Sequence, residues 1–362
     1  MSRKAVGQPL SHADLVVVGA GMCGVSFARH AAEAGKRVVL LDSGTIGSGM
    51  TGSSAGHVMT GFLPSPAEMI SKVGAVETLR LQRWSHESKL ALRRRWIDLG
   101  LRDTITNGYL LVARSRDERE VLDGIATYWR EELGIPGVRV IRGAELSKYI
   151  CSAIIDSALL DPSAFTIDPP LLVEGLRRLA RHPRISVQEE MRVVRCVRVD
   201  GHYRVETTRG EIVAESVGIC AGARAVDLVP ELKKAIRPTS TLVTISEPIA
   251  SEILRDVLPS GFSGSDCSHH PDYWTVLKDG RLLFGCSVRA ATPSAEEARD
   301  VLHERLARVF PTLSTFVTST PAVAVVDSAS TGLPLVRDLA IGLRVATGFS
   351  GVGLAVGYGA IS

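Results

Sequence analysis

The sequence predicts an α/β protein: a doubly wound parallel-sheet domain assembled from three separated stretches, with a second, sheet-based domain filling the intervals. Three observations carry this reading. Residues 14–42 read strand, glycine turn, helix, strand; residues 217–229 and 343–357 each run a strand into a further glycine turn; and residues 238–285 are strand-rich with a hairpin signal. The boundaries that follow are 13–65, 150–235 and 320–362 for the split domain, with 66–149 and 236–319 for the second domain and helical insertions.

The first element is an apolar strand, Leu15 to Val18, that runs straight into Gly19, Gly21 and Gly24. The first glycine allows a tight strand-to-helix turn. The second lets backbone approach a pyrophosphate, and the third lets helix and strand pack closely. Ala20, Met22 and Cys23 complete this turn, whose helix offers free N–H groups and a positive dipole end to phosphate. A second apolar strand, Val38 to Leu41, ends on Asp42 and Ser43, where an acidic side chain can accept hydrogen bonds from a ribose. Strand, glycines, helix, strand and acid occur in register and predict a dinucleotide site. A glycine-rich turn in some other α/β protein is the competing reading.

Further along, helical periodicity covers Ala67 to Leu99, a strand 108–113, and a helix Arg116 to Leu133. Residues 145–150 read as helical, and residues 159–183 as a turn followed by a helix from about Pro169 to Arg181. Alternating residues from Ile185 to Ala214 predict strands with turns at Asp200-Gly201 and Arg209-Gly210. Asp279-Gly280 marks a hairpin, and Ser294 to Phe310 a helix before Pro311.

Composition narrows the class. Of the 362 residues 45% are hydrophobic and 22% charged, and the net charge of +3 is too mild to imply nucleic acid. Arg93-Arg94-Arg95 reads as the solvated face of a charged helix. Six scattered cysteines with no CxxC pair read as reduced thiols of a cytoplasmic protein. The start of the chain is polar with no signal-peptide pattern, and no apolar run reaches the roughly 18 residues of a membrane span. His269 and His270 lack further ligands at metal spacing, so no metal site is expected.

Three motifs taken together resemble the D-amino acid oxidase superfamily. GSGMTGSSAGHV (47–58) resembles its GxGAS/TGxNGG segment, VGICAGARAVDLVPEL (217–232) its middle glycine turn, and LRVATGFSGVGLAVG (343–357) its ATGxSGHG motif. LLDPSAFTIDPPLLVEGL and DGRLLFGCSVR fit in order and spacing. The similarity covers nearly the whole chain and is nearest in character to the glycine oxidase and gamma-glutamylputrescine oxidase-like branch. It implies a discontinuous Rossmann-type FAD-binding domain of glutathione reductase-like form and a sheet-based substrate domain. It also implies oxidation of a C–N bond in a small amine or amino acid by hydride transfer to flavin, giving an imine that hydrolyses. The electron acceptor, oxygen or another, and the oligomeric state stay open.

The resemblance carries non-covalent FAD onto Gly19 to Gly24, Asp42 and Ser43, then onto Gly49, Thr51, Gly52, Ser53, Ser54, Ala55, Gly56 and His57. Val193 or Val194 would lie by the adenine, Ala221 and Gly222 near the adenosine half, and Gly348, Ser350, Gly351, Val352, Gly353 and Leu354 at the flavin's pyrimidine end. Departures are informative. Val326 stands where relatives carry a carboxylate-clamping arginine, Ala324 where some carry a flavin-bonding cysteine, Val352 for a histidine, and Ser53-Ser54 for Arg-Asn. The chain stops at Ser362, short of the helix that closes the FAD domain in the family. Candidate catalytic side chains are His57, Tyr273 and Asp327, the last as an acid able to attract an ammonium group, with Trp274, His269 and His270 as further pocket candidates. Packing is the competing role for His57 and Tyr273, and a solvated turn for Asp327. Two other readings stay open: a catalytically silent flavin-binding subunit of a larger oxidase, and an NAD-dependent dehydrogenase, which would leave GFSGVG unexplained.

Overall fold

The computed structural model describes residues 12–288, 293–316 and 319–361; the polar N-terminal stretch read from the sequence lies outside them up to residue 11. The chain begins β1 (His12–Val18), α1 (Met22–Glu33), β2 (Val38–Leu41) and β3 (His57–Val58). The expected helical stretch is two helices, α2 (Pro66–Val73) and α3 (Ala75–Asp98), because Gly74 takes a φ of 83° between them. A capping box of Ser65 and Glu68 with Pro66 in the first turn starts α2. There follow β4 (Ile105–Ala113), α4 (Arg116–Glu131), β5 (Arg139–Arg142), a short α5 (Gly143–Leu146), β6 (Ser157–Ile167) and α6 (Pro169–Ala180).

The middle of the chain is β7 (Ile185–Gln188), β8 (Val193–Val199), β9 (His202–Thr207), β10 (Gly210–Ile219) and α7 (Ala225–Leu228). Then come β11 (Ile236–Ile245), α8 (Ser251–Val257), β12 (Ser263–Asp266), β13 (Asp272–Val276) and β14 (Leu282–Val288). The last elements are α9 (Ala295–Val309), α10 (Pro311–Ser314), β15 (Ala322–Ala329), β16 (Leu335–Ala340), β17 (Leu343–Thr347) and α11 (Gly353–Gly359). Among the described residues no helix is long and apolar enough to cross a membrane.

One sheet runs β16-β17-β10-β1-β2-β7, parallel from β17 to β7, with the β8–β9 hairpin attached to β10. Its central strands are apolar on both faces, as helices and loops covering a parallel sheet require. Leu15 and Val17 pack under α1, while Val16 and Val18 enter the core on the other face. The other sheet runs β15-β11-β14-β13-β12-β4-β6-β3 and is antiparallel apart from β12 against β4. Leu110, Leu242, Trp274, Phe284 and Cys286 point from it into a core closed by α9.

Three strands differ from the sequence boundaries. β3, β6 and β15 belong to the second sheet, although they fall within 13–65, 150–235 and 320–362 of the split domain. Where a turn is expected ahead of Pro169, β6 runs on to Ile167, with a bulge after Asp161 where its pairing with β4 shifts register. Asp161 accepts the Ser163 and Ala164 backbone N–H groups there, so turn chemistry is present but the strand continues through it.

Candidate functional site

The site forms where three glycine bends at the ends of parallel strands meet. At the first, Gly19 has a φ of 102°, and a Cβ on it would stand 2.4 Å from the Cys220 carbonyl oxygen. The N-cap residue of α1, Gly21, supplies no capping side chain, and no acidic residue lies in the first turn, so its positive end is left for an anion. Asp42 closes on this turn: its Oδ2 accepts the Ala20 N–H at 2.6 Å and its Oδ1 the Gly44 N–H at 2.8 Å. Each carboxylate oxygen keeps a further lone pair for a hydroxyl.

Residues 47–56 fold back over the first bend. Gly47 N–H donates to Ala20 O at 3.0 Å, and the Thr51 hydroxyl accepts the Met22 N–H at 3.1 Å. Gly52 is held on the Gly47 carbonyl, and Ser54 Oγ donates to Thr51 O. A Cβ on Gly49 would meet nothing within 4 Å, so its outer side is open. Gly56 has a φ of 79° and sits against Ile167 O, where any side chain would clash.

The middle and last bends close the ring. Cys23 and Cys220 bring their sulfurs to 3.6 Å between the first and middle bends. Thr347 Oγ1 lies 3.0 Å from Gly222 O, tying the middle bend to the last. Gly357 of α11 packs on Cys23 of α1. In the last bend Gly348, Ser350 and Gly351 all have positive φ, at 77°, 52° and 92°, and both Gly222 and Gly351 are open on the side a Cβ would fill. Val352 caps α11, Gly353 opens it and Leu354 is buried behind.

At the Asp42 end, the Met191 N–H donates to Asp42 O and the Glu190 N–H to Gly44 O, which brings the start of β8 alongside. Val193 is buried there, whereas the Val194 side chain is exposed. Arg224, inside the 217–232 segment but not singled out there, reaches Ser43 Oγ at 3.5 Å as a basic neighbour.

Above the 53–57 segment lies the face of the second sheet opposite its α9 core. His57, on β3, sets Nε2 3.1 Å from Trp274 O and 2.9 Å from Thr275 Oγ1, with Nδ1 3.3 Å from the Tyr109 hydroxyl. Burial lowers its pKa to about 4. Tyr109 also bonds Ser265 Oγ at 2.8 Å, and Tyr273 bonds Thr241 Oγ1 at 2.6 Å. Tyr273 reaches Thr241 by lying across Gly285, where a Cβ would come within 2.3 Å of the ring. Burial pushes both phenols well above their ordinary value. Thr166, across the strand pair from His57, has a buried hydroxyl oxygen with no partner among the described residues.

Other candidates go elsewhere. Asp327 is neither a solvated turn residue nor an open acid. It is 6% exposed, and its Oδ2 accepts the Gly348 N–H at 2.7 Å and lies 3.0 Å from Thr347 Oγ1. Burial raises its pKa. Trp274 points into the α9 core against Phe310, and His269 is exposed in the loop between β12 and β13. Of the arginine run only Arg94 is free on the surface: Arg93 lies over Phe165 and Arg95 bonds Glu33.

These observations fit a bound dinucleotide held mainly by backbone: an uncapped helix start, a carboxylate at the second strand, open glycines on three bends and an orphaned hydroxyl beside them. Comparison with known proteins agrees. A family model described as FAD dependent oxidoreductase (DAO) matches residues 14–361. A probable oxidoreductase, OrdL, of Haemophilus influenzae is 24% identical over 352 residues, 96% of this chain and 80% of that protein. Gamma-glutamylputrescine oxidoreductase of Escherichia coli is 28% identical over 302 residues, 83% of this chain and 70% of its own length. Glycine oxidase from Geobacillus kaustophilus superposes with a TM-score of 0.78 at 20% identity, covering 97% of this chain and 93% of that one.

Proposed function

The chain belongs to the DAO family of FAD-dependent oxidoreductases, and from that premise we propose that it oxidises the C–N bond of a small amine bearing no carboxylate on the reacting carbon. The wall carries this reading: Tyr109, Ser265, Tyr273, Thr275 and Thr241 are uncharged, and Val326 stands in place of an arginine clamp. An α-carboxylate would be desolvated against that face without a countercharge, which disfavours it strongly. The relatives named for glycine and for gamma-glutamylputrescine bracket the two choices, and this wall suits the second.

Gly19 to Gly24 would hold the pyrophosphate, Asp42 the ribose, and Gly49 to His57 with Gly348 to Gly353 the flavin side. FAD, when bound there, supplies the two-electron acceptor for C–H cleavage beside nitrogen. The chain's own residues orient the amine against the sheet and exclude water through Ala55, Val243, Leu277 and Leu283. Backbone N–H groups around Gly351 and Gly353 would favour negative charge developing near them. Ala324 offers no nucleophile, consistent with non-covalent FAD.

The test is anaerobic bleaching of the yellow protein by a panel of alkylamines, diamines and putrescine derivatives against glycine, sarcosine and D-amino acids, with peroxide release measured in air. Faster bleaching by the carboxylate-free amines is expected; faster bleaching by the amino acids overturns the proposal. Retained colour with no bleaching by any of them favours a silent flavin-binding subunit.

A further inference from the structure

The structure assigns His57 to a neutral clasp, a positioning residue that fastens the cofactor-side loop to the substrate-side sheet. The tautomer follows from the partners. Trp274 O, at 3.1 Å, can only accept, so Nε2 carries the proton. Thr275 Oγ1, at 2.9 Å, spends its own proton on Ala55 O and therefore also accepts from Nε2. Nδ1 is left with its lone pair, and it is this atom that the Tyr109 hydroxyl approaches.

Every group facing the ring is uncharged. β4 presents Tyr109, β12 Ser265 behind it, β13 Tyr273, Trp274 and Thr275, β6 Thr166, and the loop itself Ala55. The carboxylates on these strands are paired elsewhere: Asp266 on β12 and Asp272 on β13 with Arg114, and Asp161 on β6 with Lys89. Of these groups only the Trp274 carbonyl favours an imidazolium, and burial outweighs it. The surroundings therefore suit a connector better than a general base.

What it connects gives the role. Residues 55–57 are joined to the second sheet by His57 to Trp274 and Thr275, by Thr275 to Ala55 O and by the backbone bond from Ile167 N–H to Gly56 O. The same loop begins at Thr51, which grips the first bend through Met22. His57 thus sets the spacing between cofactor cradle and substrate wall, while the Tyr109 hydroxyl beside Nδ1 spends its own proton on Ser265 Oγ.

The inference rests on the FAD assignment of residues 49–57 and is tested without any amine, so its failure is separable from that of the proposed reaction. Long-range 1H–15N spectra of the FAD-loaded full chain, with the His57 signals assigned by their loss in His57→Gln, should show Nε2 protonated and no titration between about pH 5 and 8. An Nδ1–H tautomer, or a midpoint inside that window, overturns it. In parallel, His57→Ala should weaken FAD binding about tenfold while His57→Gln, whose amide can occupy the Nε2–H position, stays within about twofold. Equal losses in the two variants, or none in either, also overturn it. Should His57→Ala fail to fold, the ring spectra of the wild type decide.

Discussion

Gly24 sits so close beneath Gly19 that a Cβ on it would lie 1.8 Å from the Gly19 carbonyl oxygen. Both sides of that contact are backbone, so no side chain can swing away to relieve it. Gly24→Ala must prise α1 off the end of β1, at an expected loss of about 2 kcal/mol or more and with weakened FAD retention. Urea midpoints and the ratio of flavin to protein absorbance check both; wild-type values for each would refute the close-packing account.

Lys89 and Asp161 form an ion pair that is 0% and 2% exposed, with Ser163 Oγ 2.6 Å from the ammonium. Asp161→Asn strands a buried positive charge and should destabilise the protein by about 3–5 kcal/mol. Replacing both with apolar residues (Lys89→Met with Asp161→Leu) should cost less than Asp161→Asn alone. A double-mutant cycle in urea gives the comparison, and additive losses would argue against coupling.

Stability should fall on acidification through the histidine range. His57 and His86 are both held at about 4, by burial in each case and, for His86, secondarily by the Lys89 ammonium. The unfolded chain takes up these protons near the ordinary value of roughly 6.5, so it gains protons first as pH drops. Stability is level above about 6.5 and declines between there and 4, by at most about 3 kcal/mol for His57 and less for the more solvent-screened His86. Denaturation midpoints at neutral and mildly acidic pH should differ less in His57→Gln than in the wild type. An unchanged difference would remove His57 from the effect.

Asp327 braces the last bend, taking the Gly348 N–H while its own backbone carbonyl takes the Ser350 N–H at 3.2 Å. Asp327→Ala leaves a buried N–H unpaired and loosens a segment with three consecutive-region positive φ values, at a cost of about 1–3 kcal/mol. FAD affinity by fluorescence titration should drop roughly tenfold. Unaltered affinity would show that the bend holds its shape without the carboxylate.

The parallel sheet was legible because its strands are continuous apolar runs ending in glycine, a pattern few other structures demand. The helix from Ala295 to Val309 was equally plain from Ser294 before it and Pro311 after it. Strands β5, β15 and β16 and helix α8 are short or part-exposed and carry no such punctuation. Pro162 hid the continuity of β6, since a proline inside a strand reads as a turn unless the bulge is known. The wall of the site escaped for a different reason. Tyr109, Ser265 and Thr241 meet only through strand pairings between distant segments, and Arg224 and Thr166, though inside motif segments, carry no local sign of where their side chains go. Asp327 was noticed, yet its direction depends on where β15 ends relative to Gly348.

The central pairing of β1 with β10 also governs how the protein comes into being. Cys23 and Cys220, which follow these two strands, are 197 residues apart. On the ribosome β1 emerges with β2 for company but without its other neighbour until more than half of the polypeptide has been made. The Val-rich edge of β1 has no native partner over that stretch of translation, which delays closure of the sheet.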